Sequence, residues 1–117
     1  MKRIVTFVAL LALVLSASFA RAAQRDYTIG IVTPTLSASE DEFRGAQLVA
    51  KKYPGLIKHI TLPDNFTEEQ ETAITQILSL GADPKVKAVI ICAGYSGILP
   101  AIQKLKEKRP DLITITA

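Results

Sequence analysis

Three short polar stretches each follow an apolar run, and they hold the side chains best suited to gripping a small molecule. "TPTLSAS" (33–39) offers Thr33, Thr35, Ser37 and Ser39. Their hydroxyls both donate and accept hydrogen bonds, which suits neutral polyols, sugars and amides. "AGYSG" (93–97) sets Tyr95 and Ser96 among glycines that leave room for backbone approach, and the Tyr95 ring can pack a flat ligand. "PDNF" (63–66) is a third polar stretch, in which Asn65, or Thr67 just beyond, reads first as a helix cap. The candidate ligand-binding residues are therefore Thr33, Thr35, Ser37, Tyr95 and Ser96.

Several chemistries find no support in these residues. Glu40, Asp41 and Glu42 occupy the place where a helix N-terminus would draw an anion, and three carboxylates there repel phosphate. Neither GxGxxG nor GxxxxGK[ST] occurs. His59 is the single histidine and lies inside a strand pattern, so it reads as an exposed polar strand residue. Cys92 is the single cysteine, closes the run "AVIIC", and reads as a buried inert thiol with no disulfide partner. One His, one Cys and scattered carboxylates make no metal set and no activated nucleophile. The expectation is a non-catalytic protein without metal or cofactor.

These loops need a frame, and the sequence supplies one by alternation. "YTIGIVT" (27–33), "LIKHITL" (56–62), "KAVIIC" (87–92) and "LITIT" (112–116) are rich in β-branched residues. The first and third lack a polar face, as parallel strands covered on both sides do. The second is more amphipathic and suits a sheet edge. Helices are predicted over about 39–52, 67–80 and 97–108 from their apolar spacing. "SEDE" (39–42) and "TEEQ" (67–70) read as capping boxes, Ser96 as a cap for the third helix, and Gly81 as a C′ glycine. Expected inward positions are Phe43, Ala46, Gln47 and Ala50, then Gln70, Ala73, Ile74, Ile77 and Leu78, then Ile98, Ala101, Ile102 and Leu105.

Strict alternation with short connections predicts an α/β fold: a three-layer parallel sheet in the order 2-1-3-4, with helices on both faces. In such a sheet ligands lie beyond the carboxyl ends of the strands, where the order reverses. The first and third loops then fall side by side.

The first 22 residues stand apart. Lys2 and Arg3 precede the apolar run "IVTFVALLALVLSASFA", which leads to Ala20–Arg21–Ala22. This is the layout of a secretory signal peptide, with cleavage after Ala22 or Ala20. A membrane anchor is the rival, but the run is short of the roughly 20 residues a spanning helix needs. The chain thus divides into a signal peptide (1–22) and one domain (23–117), periplasmic or extracellular and not membrane-embedded once mature. Lys2, Arg3 and Arg21 go with the leader, which leaves eleven basic residues against eleven acidic ones. A net charge of zero gives no electrostatic reason to expect nucleic acid or anionic lipid as a partner.

The leader, "IGIVTPTLS", "RGAQLVAKKYP", "LPDNFTEEQETAITQI" and "DPKVKAVIICAG" together resemble type I periplasmic-binding-protein-like proteins, and within them an uncharacterised bacterial branch. The resemblance runs over about residues 27–117. It implies a Rossmann-like half of a two-lobed fold that closes on a small solute, and it places the loops after strands 1 and 3 in the interlobe cleft. The chain ends as a fourth strand finishes, so the expectation is a truncated first lobe. The function it implies is binding of a small polar solute for uptake through an ABC transporter permease. The alternatives are a ligand-sensing domain of a signalling system and a small exported α/β enzyme.

Overall fold

The computed structural model describes residues 25–117; the leader and its cleavage site lie outside them. The chain alternates strand and helix throughout: β1 (Thr28–Thr33), α1 (Glu40–Lys52), β2 (Ile57–Thr61), α2 (Gln70–Gly81), β3 (Val86–Ile91), a 3₁₀ turn (Ser96–Ile98), α3 (Leu99–Lys108) and β4 (Ile113–Thr116). The four strands form one parallel sheet in the order β2-β1-β3-β4, the order that the apolar first and third strands and the amphipathic second predict. Ile31 pairs with His59 on one side and Ile90 on the other, so β1 is the central seam.

Successive strand residues point to opposite faces, and the two faces differ. Val32, Val89 and Ile91 face α2 and α3. They pack with Ala73, Ile77, Leu80, Ile98, Ala101, Leu105 and Leu112 into one buried core. Gly81 lets α2 and α3 approach closely, because a Cβ there would collide with the Leu105 side chain. Ile31 and His59 face α1, whose Ala46 is buried and whose Phe43 ring lies 5.3 Å from the His59 ring. One helix cannot cover four strands, so Ile113 and Ile115 on β4 remain exposed, as do Leu48 and Val49 on α1.

Helix boundaries and caps differ from the sequence reading. Ser39 stands at the N-cap of α1 in an extended conformation but makes no side-chain cap bond, and one oxygen of Glu42 is buried without a partner. Helix α2 begins at Gln70, three residues later than predicted. The Asn65 carbonyl accepts from the amides of Glu68 and Glu69, which closes a turn where the helix was expected. Gly81 is the last helical residue, and Ala82 takes the cap position. Ser96 opens the 3₁₀ turn instead of capping α3, and Pro100 occupies the first turn of α3. Gln47 and Gln70 are exposed rather than inward, while Leu80 is a core residue the helical stripe did not include.

Candidate functional site

All strands run the same way, so the segments after β1, β2 and β3 emerge at one edge. The β1 segment leaves the sheet at Thr33 and turns over Leu36–Ala38, with the amides of Ala38 and Ser39 donating to the Thr35 carbonyl. That turn aims Thr35 and Ser37 sideways at the β2 segment. Both hydroxyls donate to Oδ1 of Asp64, Ser37 at 2.8 Å, and the two hydroxyl oxygens lie 3.0 Å apart. Accepting these bonds lowers the Asp64 pKa from its ordinary value, Thr35 being the larger cause and Ser37 the smaller. Asp64 is therefore ionised, exposed and held in place, with Oδ2 free of any side-chain partner among the described residues.

The β3 segment joins the same edge by a different route. Ala93 adopts a left-handed conformation (φ 60°) and swings the chain out of the sheet. Tyr95 then reaches across to donate its hydroxyl to the Phe66 carbonyl at 2.8 Å, and the two rings lie 5.1 Å apart. Gly97 permits this, because a Cβ at 97 would overlap the Tyr95 ring. Partial burial of the phenol raises its pKa, so it stays protonated and can donate. Beside it lies an open depression of about 320 Å³, lined by Tyr95, Ser96, Ile98, Leu99, Ile102 and Thr116.

The predicted site residues thus fall into three groups. Thr35 and Ser37 are brought together, on Asp64. Tyr95 and Ser96 are brought together, on the depression toward β4. Thr33 is fully buried: it donates to the Pro34 carbonyl at 2.8 Å, and Nε2 of His59 lies 2.8 Å from the Thr33 hydroxyl oxygen. With the Thr33 proton given to Pro34, the Nε2–H tautomer of His59 completes the set by donating to the Thr33 oxygen. Thr33 therefore braces the edge from beneath, with its hydroxyl already occupied.

Sequence reasoning read "PDNF" as a helix cap and missed that it ties the edge together. Asp64 and Phe66, both from "PDNF", link the β1 segment to the β3 segment, whose residues were expected to meet directly. The available signal was a carboxylate one residue past a strand-ending proline, at the same edge as two hydroxyls. His59 is half-buried rather than exposed, and burial lowers its pKa. Cys92 is half-buried rather than buried; desolvation, with a smaller effect of Glu42, raises its pKa and keeps the thiol protonated. Among the described residues no group of three or more His, Cys, Asp or Glu could hold a metal ion, and no helix is long and apolar enough to cross a membrane.

A parallel sheet in this order, with helices on both faces and its polar segments gathered at the carboxyl edge, defines a Rossmann-like α/β lobe. The chain belongs to the family described as "Protein of unknown function (DUF3798)", whose profile matches residues 27–117. A protein of Treponema pallidum (strain Nichols), described only as uncharacterised, is 29% identical over 78% of this chain and 44% of its own length. The crystal structure of a candidate transcriptional regulator from Clostridium difficile 630 superposes with a TM-score of 0.73. It is 36% identical over 76% of this chain and 28% of its own. The chain spans less than half the length of either.

Proposed function

We propose that this chain is an exported, non-catalytic solute-binding lobe of the type I periplasmic-binding-protein-like kind. Its solute would be a small polar molecule, neutral or cationic, held at the carboxyl edge of the sheet, with delivery to an ABC transporter permease as the use. One observation carries the reading: three strand-end segments are cross-linked by side chains into a single polar rim, Thr35 and Ser37 to Asp64 and Tyr95 to Phe66. A rim fixed in this way offers its remaining acceptors and the Tyr95–Ser96 depression already oriented, which lowers the ordering cost of binding. Asp64 and the acidic first turn of α1 disfavour anions. The leader supports a periplasmic or extracellular location.

The test is a thermal-shift screen of the full chain against D-ribose, D-glucose, adenosine, L-lysine and spermidine. A ligand at ten times its Kd adds about 1.4 kcal/mol, which for a domain of this size raises Tm by roughly 6–11 °C. At least one member is expected to do so, and Asp64→Asn to remove the shift. No shift with any member, together with turnover of an ester or glycoside, overturns the reading.

A second reading has an observation of its own. The solved structure with 36% identity is described as a candidate transcriptional regulator, which favours ligand sensing over uptake with the same rim.

A further inference from the structure

The chain beyond the leader is neutral overall, but its charges are segregated. Strand starts and helix ends meet at the amino-terminal edge of the sheet, opposite the polar rim. Lys51 and Lys52 end α1, Lys58 lies near the start of β2, Lys85 and Lys87 flank the start of β3, and Lys106, Lys108 and Arg109 end α3. Lys104 and Arg25 complete the set, Arg25 with its guanidinium 6.0 Å from the Tyr53 ring just past α1. The Arg109 guanidinium joins these elements by donating to the carbonyls of Gly81, Asp83 and Val86. Ten of the eleven basic side chains of residues 25–117 belong to this half of the molecule, against four acids, Asp26, Asp83, Glu107 and Asp111. The net is +6 here and −6 at the opposite edge, where Arg44 alone offsets Glu40, Asp41, Glu42, Asp64, Glu68, Glu69 and Glu71.

Helix dipoles account for part of this pattern. Lys51, Lys52, Lys106 and Lys108 sit in last turns, where a cation is favoured. They do not account for Lys85 and Lys87 at the foot of a strand, nor for Arg25. Local pairing does not remove the excess either: Asp83 and Asp111 are engaged by Lys58 and Arg109, and Asp26 and Glu107 are the only acids left for the other eight cations. Lys85 and Lys87 are exposed and make no ion pair among the described residues.

We propose that this amino-terminal edge docks on an anionic lipid surface. The chain itself favours a membrane over an acidic protein. β1 starts at this edge, and the apolar run of the leader ends at Ala20, so seven residues (21–27) separate that run from the sheet. Seven extended residues reach at most about 25 Å. The basic edge is thus within reach of any bilayer that holds the run, and the acidic rim lies at the opposite edge. The attraction acts within about 8 Å at physiological salt, so it operates on contact. After cleavage the same edge keeps the lobe at the membrane surface without inserting it.

Co-sedimentation of the full chain with phosphatidylcholine vesicles, and with vesicles of three parts phosphatidylcholine to one part phosphatidylglycerol, tests this. Both vesicle types can take up the leader, so the readout is the preference for phosphatidylglycerol, compared between wild type and Lys85→Glu/Lys87→Glu. With roughly fivefold per charge near the surface, the double variant is expected to lose about tenfold or more of that preference. Added salt is expected to weaken the wild type's preference. Lys85→Gln/Lys87→Gln should lose less and melts as a folding control, and Glu68→Gln/Glu69→Gln on the far edge should lose none. An unchanged preference in folded Lys85→Glu/Lys87→Glu overturns the proposal. So does retention on immobilised polyglutamate with no preference between the vesicles, which would assign the edge to an acidic protein.

Discussion

The two faces of the sheet are built on the same four strands but packed to different densities. Under α2 and α3, Ala73, Ile77, Leu80, Val89, Ile91 and Ala101 have no solvent exposure at all. Under α1 the neighbours are looser: Val49 is 39% exposed, Ile113 59% and Ile115 49%. The looser face carries the Thr33–His59 pair and the unpartnered Glu42 oxygen, while the unpartnered oxygens of Thr28 and Gln76 lie on the α2–α3 side. The difference indicates that cohesion is concentrated on one face. The other tolerates polar groups beneath the rim because it was not relied on for close packing.

The sharpest way to break this contrast is Ile77→Ala. It leaves a cavity in the dense face and is expected to cost about 2–5 kcal/mol in chemical denaturation. A chain of this size holds about 5–15 kcal/mol in total. A loss below about 1 kcal/mol would mean the dense face is not where stability resides.

A smaller effect is expected from pH, through His59. Burial lowers its folded pKa below the ordinary 6.5, so the unfolded chain takes up the proton more readily. The sign follows: His59's contribution is complete above pH 6.5 and is lost as pH falls from there through the lowered folded value. Tm is expected to decline as pH falls below about 6.5, and His59→Gln, which keeps a donor for Thr33, to flatten that decline. Equal slopes in the two proteins would show that His59 is not the titrating group.

The smallest effect belongs to the loose face. Ile113→Ser is expected to change stability by no more than about 0.5 kcal/mol, measured by the same denaturation. A loss approaching that of Ile77→Ala would show that this face is as closely packed as the other.

The sheet order was legible because it follows from local signals. β-branched runs free of polar faces marked the central strands, and Lys58 with His59 marked β2 as an edge. The core was legible for the same reason, since Ala73, Ile77, Ala101 and Leu105 recur at helical spacing. The caps were not. Whether Thr67 opens a helix depends on what the Asn65 carbonyl does, and it takes two amides that "TEEQ" seemed to assign to the helix. The rim was half legible. Thr35, Ser37 and Tyr95 announce themselves as strand-end polar residues. Their partners, however, lie 27 to 29 residues away in "PDNF", and no local pattern encodes such a distance. Thr33 looked like its neighbours in type and differs only in burial, which the sheet decides.

The position of β1 at the central seam also sets the order in which the fold can assemble. Its partner β3 lies far along the chain, with Ile31 opposite Ile90. Closing a loop of that length precedes any reward from the contact, which makes such pairings slow to form. A growing polypeptide that has reached β2 holds only two strands and none of the α2–α3 core. Until β3 follows, a chain emerging from the ribosome lacks Val86, Val89 and Ile91, on which the core closes.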